Sequence, residues 1–249
     1  MSWANTCRPM DSQYAFETVQ SQAGYPRLYT GPQPIRVQIT LLSERLGISP
    51  EPAISNVERT CRAPLPEGAE GWFAVPSLAG LTGGPRGNPP ERYLRGMRRV
   101  VGALCAFGYK RSWSGEPDRL LDVAIGHRTA ECLAHIAEQQ AGGIWVIPAQ
   151  FGKRFAGASA RRAEVVCTPD EFPLDLICVG AMLLAHPTRL PRLCDLGMIC
   201  GGNGNSLLKT QPATLMIVGR NHAPEIDVMD GSVHHAYLGV PTGFVPQLG

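Results

Sequence analysis

The residues of this chain best suited to chemistry are arginines and lysines concentrated in two short segments. Between residues 86 and 111, seven basic residues stand against the single acid Glu91, which gives that segment a charge of +6. Between residues 153 and 162, four basic residues add +4 with no acid. The whole chain has a net charge of only +2, so the remaining residues sum to −8. Basic groups gathered in this way favour the phosphates of nucleic acid or another polyanion.

The first basic segment is predicted to form an amphipathic helix over residues 91–107. Its apolar side repeats at helical spacing and consists of Leu94, Met97, Val101 and Leu104. Gly108 supplies a stop signal. The other side carries Arg92, Arg95 and Arg99, which are therefore the predicted binding residues of this helix.

The second basic segment is predicted to extend the same surface through Lys153, Arg154, Arg161 and Arg162. Gly152, Gly157 and Ser159 precede a short helix expected to begin near Ala160. Backbone amides in such a loop can point at an anion, so a phosphate-binding loop is a further hypothesis here. The spacing is not that of a Walker motif.

Residues 41–59, LLSERLGISPEPAISNVER, look at first like a helix-turn-helix with its turn at Gly47. The distance from Gly47 to Ile54 is one position too long, and Pro50 and Pro52 crowd the start of the second helix. The alternation from Ile35 to Leu41 is typical of a half-buried strand. We therefore predict a strand, a turn and a short helix, with a helix-turn-helix DNA-binding regulator as an alternative.

Cysteines and histidines form the remaining candidate site. The soft ligands available for zinc are His186, Cys194, Cys200 and His222, whose gaps match no standard spacing. Cys200, His222 and Asp227 are the right types for a cysteine nucleophile, its base and an orienting acid. The eight cysteines include no C-x-x-C pair, and Cys105, Cys132 and Cys178 are expected to be buried, unpaired thiols. We predict no metal and no cofactor, and keep a cysteine- or metal-dependent enzyme as an alternative.

The composition of the chain limits the classes of protein to which it can belong. With 249 residues, 44% hydrophobic and 18% charged, the chain can bury a real core, which excludes disorder as its overall state. The 28 Gly and 22 Pro predict short elements and many loops. The apolar run 176–185 is half the length that a bilayer requires, and the N-terminus lacks a signal-peptide core. We expect a cytoplasmic protein without membrane contact.

The expected fold is α+β, a single compact mixed domain with short strands and helices. Residues 1–34 are predicted as an arm or loosely packed lead-in, and residues 35–249 as the domain, with a Pro/Gly-rich loop at 76–90. Helices are predicted near residues 130–140 and 173–185. Further strands are predicted at Trp72–Val75, Ile144–Ile147, Leu215–Val218 and Ala236–Val240.

Three stretches resemble an uncharacterised family of proteins encoded in integrative and conjugative elements and plasmids of proteobacteria. They are LPEGAEGWFAVP at 65–76, PAQFGKRFAGASARRAEV at 148–165 and EFPLDLICVGAMLLAHPTRL at 171–190, with a weaker LGISPEPAISNVE at 46–58. The resemblance implies a setting in a bacterial mobile element and no particular reaction. The family has a Cys-Gly-Asp-Glu-like run where this chain has Cys200–Asn203, so a role for those acids does not carry over.

Charge and resemblance together predict an accessory protein of a mobile element that binds nucleic acid or another polyanion through its basic helix. A non-enzymatic adaptor or inhibitor that binds an acidic protein partner is an alternative, because the same charge would suit it. No stretch carries a complete catalytic motif, which weighs against an enzyme.

Overall fold

A computed structural model of the chain describes residues 13–84, 87–112, 120, 123–189, 192–205, 213–220 and 223–247. The fold is α+β, a single domain of mixed helices and sheets, as the sequence predicts. The described residues form these helices: α1 (Ile35–Leu46), α2 (Glu51–Thr60), α3 (Leu78–Thr82), α4 (Pro89–Ala106), α5 (His127–Gln139), α6 (Ala160–Val166) and α7 (Leu176–Ala185).

The strands within the described ranges are β1 (Gly71–Pro76), β2 (Lys110–Arg111), β3 (Val123–Ile125), β4 (Ile144–Gln150), β5 (Glu171–Pro173), β6 (Gly197–Cys200), β7 (Asn203–Asn205), β8 (Ala213–Arg220), β9 (Ala223–Asp230), β10 (Leu238–Gly239) and β11 (Thr242–Phe244). One sheet has the order β1-β4-β11-β5 and is antiparallel throughout. A second has the order β10-β6-β8-β9-β2, antiparallel at its centre and parallel in its two outer pairs. β3 and β7 form a separate antiparallel pair.

Helix α7 lies at the centre of the domain, and each of its ten residues is buried. A helix that is apolar on every side must be enclosed, and α1, α4 and β1 pack around this one. Asp175 begins it by accepting the Cys178 N–H at 2.9 Å, and it ends just before Pro187. Among the helices of the described residues, none is long and apolar enough to cross a membrane.

Two buried glutamines complete the backbone hydrogen bonds of the first sheet. Gln38 of α1 accepts the Ala74 N–H at 3.0 Å and donates to the Trp72 carbonyl at 2.9 Å, along the outer edge of β1. Gln140 bonds both backbone groups of Val146 in β4, each at 2.8 Å. Each side-chain amide thus takes the place of a neighbouring strand, which leaves these buried backbone groups satisfied.

The strand predicted for residues 35–41 is wrong, because this stretch forms the first half of α1. A buried helical stripe begins within the alternating region and continues past residue 41. It consists of Ile39, Leu42 and Leu46. Val37 is 43% exposed whereas Gln38 is fully buried, the reverse of what a half-buried strand requires. The predicted short helix after Pro50 is confirmed as α2.

The Pro/Gly-rich stretch 76–90 is not loop throughout. It contains α3, which begins where the Ser77 hydroxyl accepts the Gly80 N–H at 3.0 Å and which buries Leu81. α4 then begins at Pro89, with the Asn88 side chain accepting the Glu91 N–H at 2.9 Å. Capping side chains and proline in the first turn turn this breaker-rich sequence into helix starts.

Residues 13–34, the described part of the predicted arm, are joined to the rest of the domain by backbone hydrogen bonds. The Val19 N–H donates to Gly157 at 3.0 Å, and the Ser159 N–H donates to Glu17 at 3.1 Å. Farther along, Gly24 accepts the Leu196 N–H at 2.8 Å. These bonds link this stretch to α6 at one end and to the start of β6 at the other.

Replacing Gln140 by Ala tests the glutamine bridge on β4. The change removes both partners of the buried Val146 backbone, so we expect the free energy of unfolding to fall by about 2–4 kcal/mol. Urea denaturation measures this, with the exposed Gln247→Ala as the control, which should change it by less than about 0.5 kcal/mol. Equal losses in the two variants would contradict this role of Gln140.

Candidate polyanion-binding surface

Helix α4 is held rigidly by close packing against α7 and α3. A Cβ added at Gly96 would lie 2.9 Å from a Leu78 methyl and 3.0 Å from an Ile177 methyl. A Cβ added at Gly180 would lie 2.4 Å from Val100. These two glycines let the helices approach closely, so the opposite face of α4 has a fixed direction toward solvent.

The solvent face of α4 continues into β2 and is strongly basic. Its exposed basic residues, named here the α4–β2 basic face, are Arg95, Arg98, Arg99, Lys110 and Arg111. Glu91 is the exposed acid on the same helix. Arg98 was not among the predicted site residues, although it lies farther from the buried stripe of α4 than Arg92 does and as far from it as Arg99. Placing the sequence on a helical wheel around that stripe would have found it.

Arg92 is less exposed than the other arginines of this helix, and Arg99 is bonded to backbone carbonyls of two other helices. Arg92 is half-buried, and its Nε has no hydrogen-bond partner among the described residues. The Arg99 guanidinium donates to the Leu46 carbonyl, at the end of α1, and to the Leu81 carbonyl in α3. Cations favour the carbonyl ends of helices, so Arg99 fastens two helix ends to α4.

Two of the four basic residues in the second predicted group, Arg154 and Arg161, are engaged with this chain's own carboxylates. The Arg161 guanidinium forms an ion pair with Glu17, whose side chain is 1% exposed. The Ser159 hydroxyl donates to the same carboxylate at 2.6 Å. Arg162 donates to the Gln13 carbonyl at 3.1 Å. The predicted phosphate-binding loop therefore holds an internal anion, the Glu17 carboxylate, where an external phosphate was expected.

Arg154 is paired with a carboxylate of this chain, whereas Lys153 is exposed. The Arg154 Nε lies 3.3 Å from the Glu171 carboxylate, whose side chain is fully buried. The Thr242 hydroxyl donates to that carboxylate at 2.7 Å. Lys153 is exposed, on the loop that follows β4. This segment packs with the N-terminal stretch and β5, whereas α4 packs with α1, α3 and α7, so the two basic groups belong to different parts of the fold.

A pocket of about 240 Å³ lies within the α4–β2 basic face. It is lined by Arg98, Val101, Gly102, Cys105, Arg111 and Leu120. A Cβ added at Gly102 would meet no atom of the described residues within 4 Å, so packing among those residues does not require glycine there. Glycine in an exposed helix costs about 1 kcal/mol relative to alanine, and it leaves the backbone open to close approach by a ligand.

The helix pair needed for the alternative helix-turn-helix is present, since α1 and α2 flank a turn at Gly47 with φ 57°. The exposed positions of α2 carry Glu51, Ser55, Glu58 and Arg59. The Asn56 side chain is half-buried and donates to the Pro52 carbonyl at 2.8 Å. Two carboxylates on the face that would enter DNA oppose the approach of phosphates.

Among the described residues, the cysteine and histidine candidates are not grouped into a metal site. Both ring nitrogens of the buried His186 are engaged: Nε2 accepts the Gln33 N–H at 3.0 Å, and Nδ1 bonds the Met182 carbonyl at 2.7 Å. Cys200 is buried and Cys194 exposed, while His222 lies outside the described residues. Burial, with the nearby Asp175, holds the pKa of the Cys200 thiol well above its usual value, which disfavours the thiolate. Within the described ranges, no three His, Cys, Asp or Glu residues are grouped to hold a metal ion.

The expectation for the thiols is confirmed only in part. All seven cysteines of the described ranges are unpaired. Cys178 is buried, but Cys105 and Cys132 are half-buried. Both of these lie at the margins of amphipathic helices, where sequence periodicity alone does not separate buried from half-buried positions.

Arg99→Gln tests whether the hydrogen bonds of Arg99 stabilise the packing of α1 and α3 against α4. Because the variant loses charged hydrogen bonds to two carbonyls, we expect its free energy of unfolding to fall by about 1–2 kcal/mol in urea denaturation. Arg27→Gln removes the same charge from an exposed site on another part of the chain and should have little effect. A stability change no larger than in this control would show that Arg99 does not hold the helices.

His186 predicts a pH dependence of stability. Burial lowers its pKa to about 4, whereas an unfolded histidine titrates near 6.5. Between these values the unfolded chain binds a proton that the folded protein does not, so stability is present above about pH 6.5 and falls toward pH 4. The slope should approach about 1.4 kcal/mol per pH unit. Denaturation across this range should show a shallower dependence for His186→Gln and no change for the exposed His235→Gln; parallel curves for wild type and His186→Gln would contradict it.

Comparison with known protein families, with characterised proteins and with solved structures found no match to this chain. The function is therefore argued from the geometry and charge of the described residues.

Proposed function

We propose that the protein binds nucleic acid through the α4–β2 basic face, as a cytoplasmic accessory protein of a bacterial mobile genetic element. The observation that carries this proposal is the concentration of exposed basic side chains on one rigid face. Between residues 87 and 112 there are six basic residues and one acid, and five of the six basic residues are exposed. Such a face gains free energy when phosphates approach.

The spacing of the arginines suits a phosphate backbone. Arg95, Arg98 and Arg99 stand three and four positions apart on one helix, so their Cβ atoms are about 5–6 Å from their neighbours. Each guanidinium can bond a phosphate through two N–H groups. Arg98 and Arg111 also border the pocket at Gly102, where the backbone of a nucleic acid can approach the helix closely.

The acids next to this face are themselves paired. Glu225 lies opposite Lys110 in the β2–β9 ladder, and Arg220 approaches its carboxylate to 3.6 Å. Asp227 accepts a hydrogen bond from Ser112 and lies 3.8 Å from Arg220. Arg111, which lies opposite Ile226 in the same ladder, is therefore better placed for phosphate contact than Lys110.

The mobile-element setting is supported by the resemblance of residues 65–76, 148–165 and 171–190 to proteins of such elements. Binding of nucleic acid is a common need of such an element. An acidic protein would meet the same electrostatic requirement, and it is the partner that remains if nucleic acid does not bind.

The test combines Arg95→Gln, Arg98→Gln and Arg111→Gln, and leaves Arg99 in place because of its contacts with helix ends. We expect affinity for a fluorescent oligonucleotide to fall about tenfold to a hundredfold at low salt. The slope of log affinity against log salt should also fall by about 2 to 3, since three phosphate contacts are lost.

The matched control, Arg27→Gln with Arg62→Gln and Arg192→Gln, removes three exposed charges from outside the basic face and should retain most of the affinity. Gly102→Glu places a negative charge inside the face and should weaken binding much more than Gly102→Ala, which should raise stability by up to about 1 kcal/mol. Equal losses in both triple variants, or no binding by the wild type at low salt, would overturn the proposal.

A further inference from the structure

Arg189 is the largest fully buried side chain among the described residues. It lies in a 3₁₀ turn, Pro187–Arg189, which follows α7. Its Cζ is 4.2 Å from the centre of the Tyr25 ring and 5.3 Å from that of Phe151. Its Nη2 donates to the Leu196 carbonyl at 2.8 Å. Burial of a guanidinium costs free energy unless its N–H donors are hydrogen-bonded and its charge is balanced.

Four buried polar atoms around this guanidinium have no hydrogen-bond partner within the described residues. They are Nε and Nη1 of Arg189 and the hydroxyl oxygens of Tyr29 and Tyr109. Tyr29 packs edge-on against Phe151, with ring centres 5.5 Å apart, and so flanks the same ring as Arg189. The positive charge of Arg189 acts on both phenols, opposing the rise in pKa that their burial causes. Buried polar groups are rarely left unpaired, so four on side chains that interact electrostatically with one another indicate a missing common partner.

The chemistry of the four groups defines that partner. Guanidinium N–H groups can only donate hydrogen bonds, and a phenol can donate as well, so the partner must be an acceptor. The nearest carboxylate acting on Arg189 is that of Glu70, which is already bonded by the Tyr25 hydroxyl. Burial raises the pKa of Glu70, while Tyr25, Arg189 and Lys153 act in the opposite direction. The negative charge of Glu70 thus balances the buried Arg189 cation from one side. The Nε and Nη1 donors of Arg189 still have no hydrogen-bond partner among the described residues.

One layer of residues separates this cluster from a cleft at the surface. A cleft of about 430 Å³ is lined by Gln20, Gln22, Ala23, Gly24, Cys194, Ala236 and Tyr237. The Leu196 N–H donates to Gly24 at 2.8 Å, while the Leu196 carbonyl accepts from Arg189. Leu196 and the adjoining residues Gly24 and Tyr25 therefore form the layer between the cleft and the guanidinium.

We propose that the protein binds a small oxyanion, of the carboxylate, bicarbonate or phosphate class, at a buried site formed by Arg189, Tyr29 and Tyr109. The anion accepts hydrogen bonds from the free donors of the guanidinium and from the two phenols. The site is separate from the α4–β2 basic face and does not depend on nucleic-acid binding.

Thermal unfolding in different sodium salts at equal ionic strength and constant pH tests the site. The probes are formate, acetate, bicarbonate and phosphate, each compared with chloride. A bound oxyanion should raise Tm by about 2–4 °C once its concentration is far above its Kd, and the rise should grow with the logarithm of concentration. The order of the four probes separates small carboxylates and bicarbonate from phosphate.

Tyr109→Phe and Tyr29→Phe remove one hydroxyl each without changing the shape of the core. We expect each to weaken the oxyanion response about tenfold in apparent Kd. In chloride alone each variant should keep or slightly gain stability, because it loses a buried hydroxyl that has no partner there. The exposed Tyr237→Phe, at the mouth of the cleft, should respond to the anions as the wild type does.

Two results would overturn the proposal. The first is a wild-type Tm that is the same in all five salts. The second is an equal loss of Tm in every salt for Tyr29→Phe and Tyr109→Phe, which would assign the hydroxyls to bonds within the folded chain.

Discussion

The enclosure of helix α7 is the constraint on which the rest of the structure depends. Each of its ten residues is buried, so the helix has no face that water could cover. α1, α4 and β1 must therefore meet around it. Gly96 and Gly180 permit the closest of these approaches, since a side chain at either position would collide with a methyl group of its neighbour. The direction of the α4 arginines follows from this packing.

A buried helix also requires partners for its polar ends, and this domain supplies them from distant parts of the chain. At the start of α7, Asp175 bonds the Tyr93 hydroxyl at 2.7 Å, and Asn203 accepts the Leu176 N–H at 2.8 Å. At its end, Arg45 donates to the Leu184 carbonyl and stacks on Phe107 at 4.1 Å. Every one of these contacts joins residues far apart in sequence, so the ends of α7 are satisfied only after the whole domain has formed.

Arginine has two separate uses in this protein. Arg45, Arg99 and Arg128 donate to backbone carbonyls at the ends of elements. Arg154 and Arg161 neutralise the buried carboxylates of Glu171 and Glu17. These internal roles explain why a count of basic residues overstates the basic surface. The continuous exposed group is the α4–β2 basic face, in which Arg99 also has an internal role, and this face carries the proposed function.

The sequence alone determined the α+β class and the elements with strong local signals. Helix α4 and strands β1 and β4 were predicted because their apolar periodicity, caps and breakers lie within the element itself. Helix α1 was misread because residues 35–41 satisfy both a period of two and a helical stripe, and burial of Gln38 against β1 selects the helix. Short strands such as β5 and β11 carry too few residues for any period to show. Tertiary structure alone decided which arginines face solvent, because Glu17 and Arg161, 144 positions apart, meet only in the folded chain. Electrostatic pairing depends on distance in space, and sequence spacing does not contain that distance.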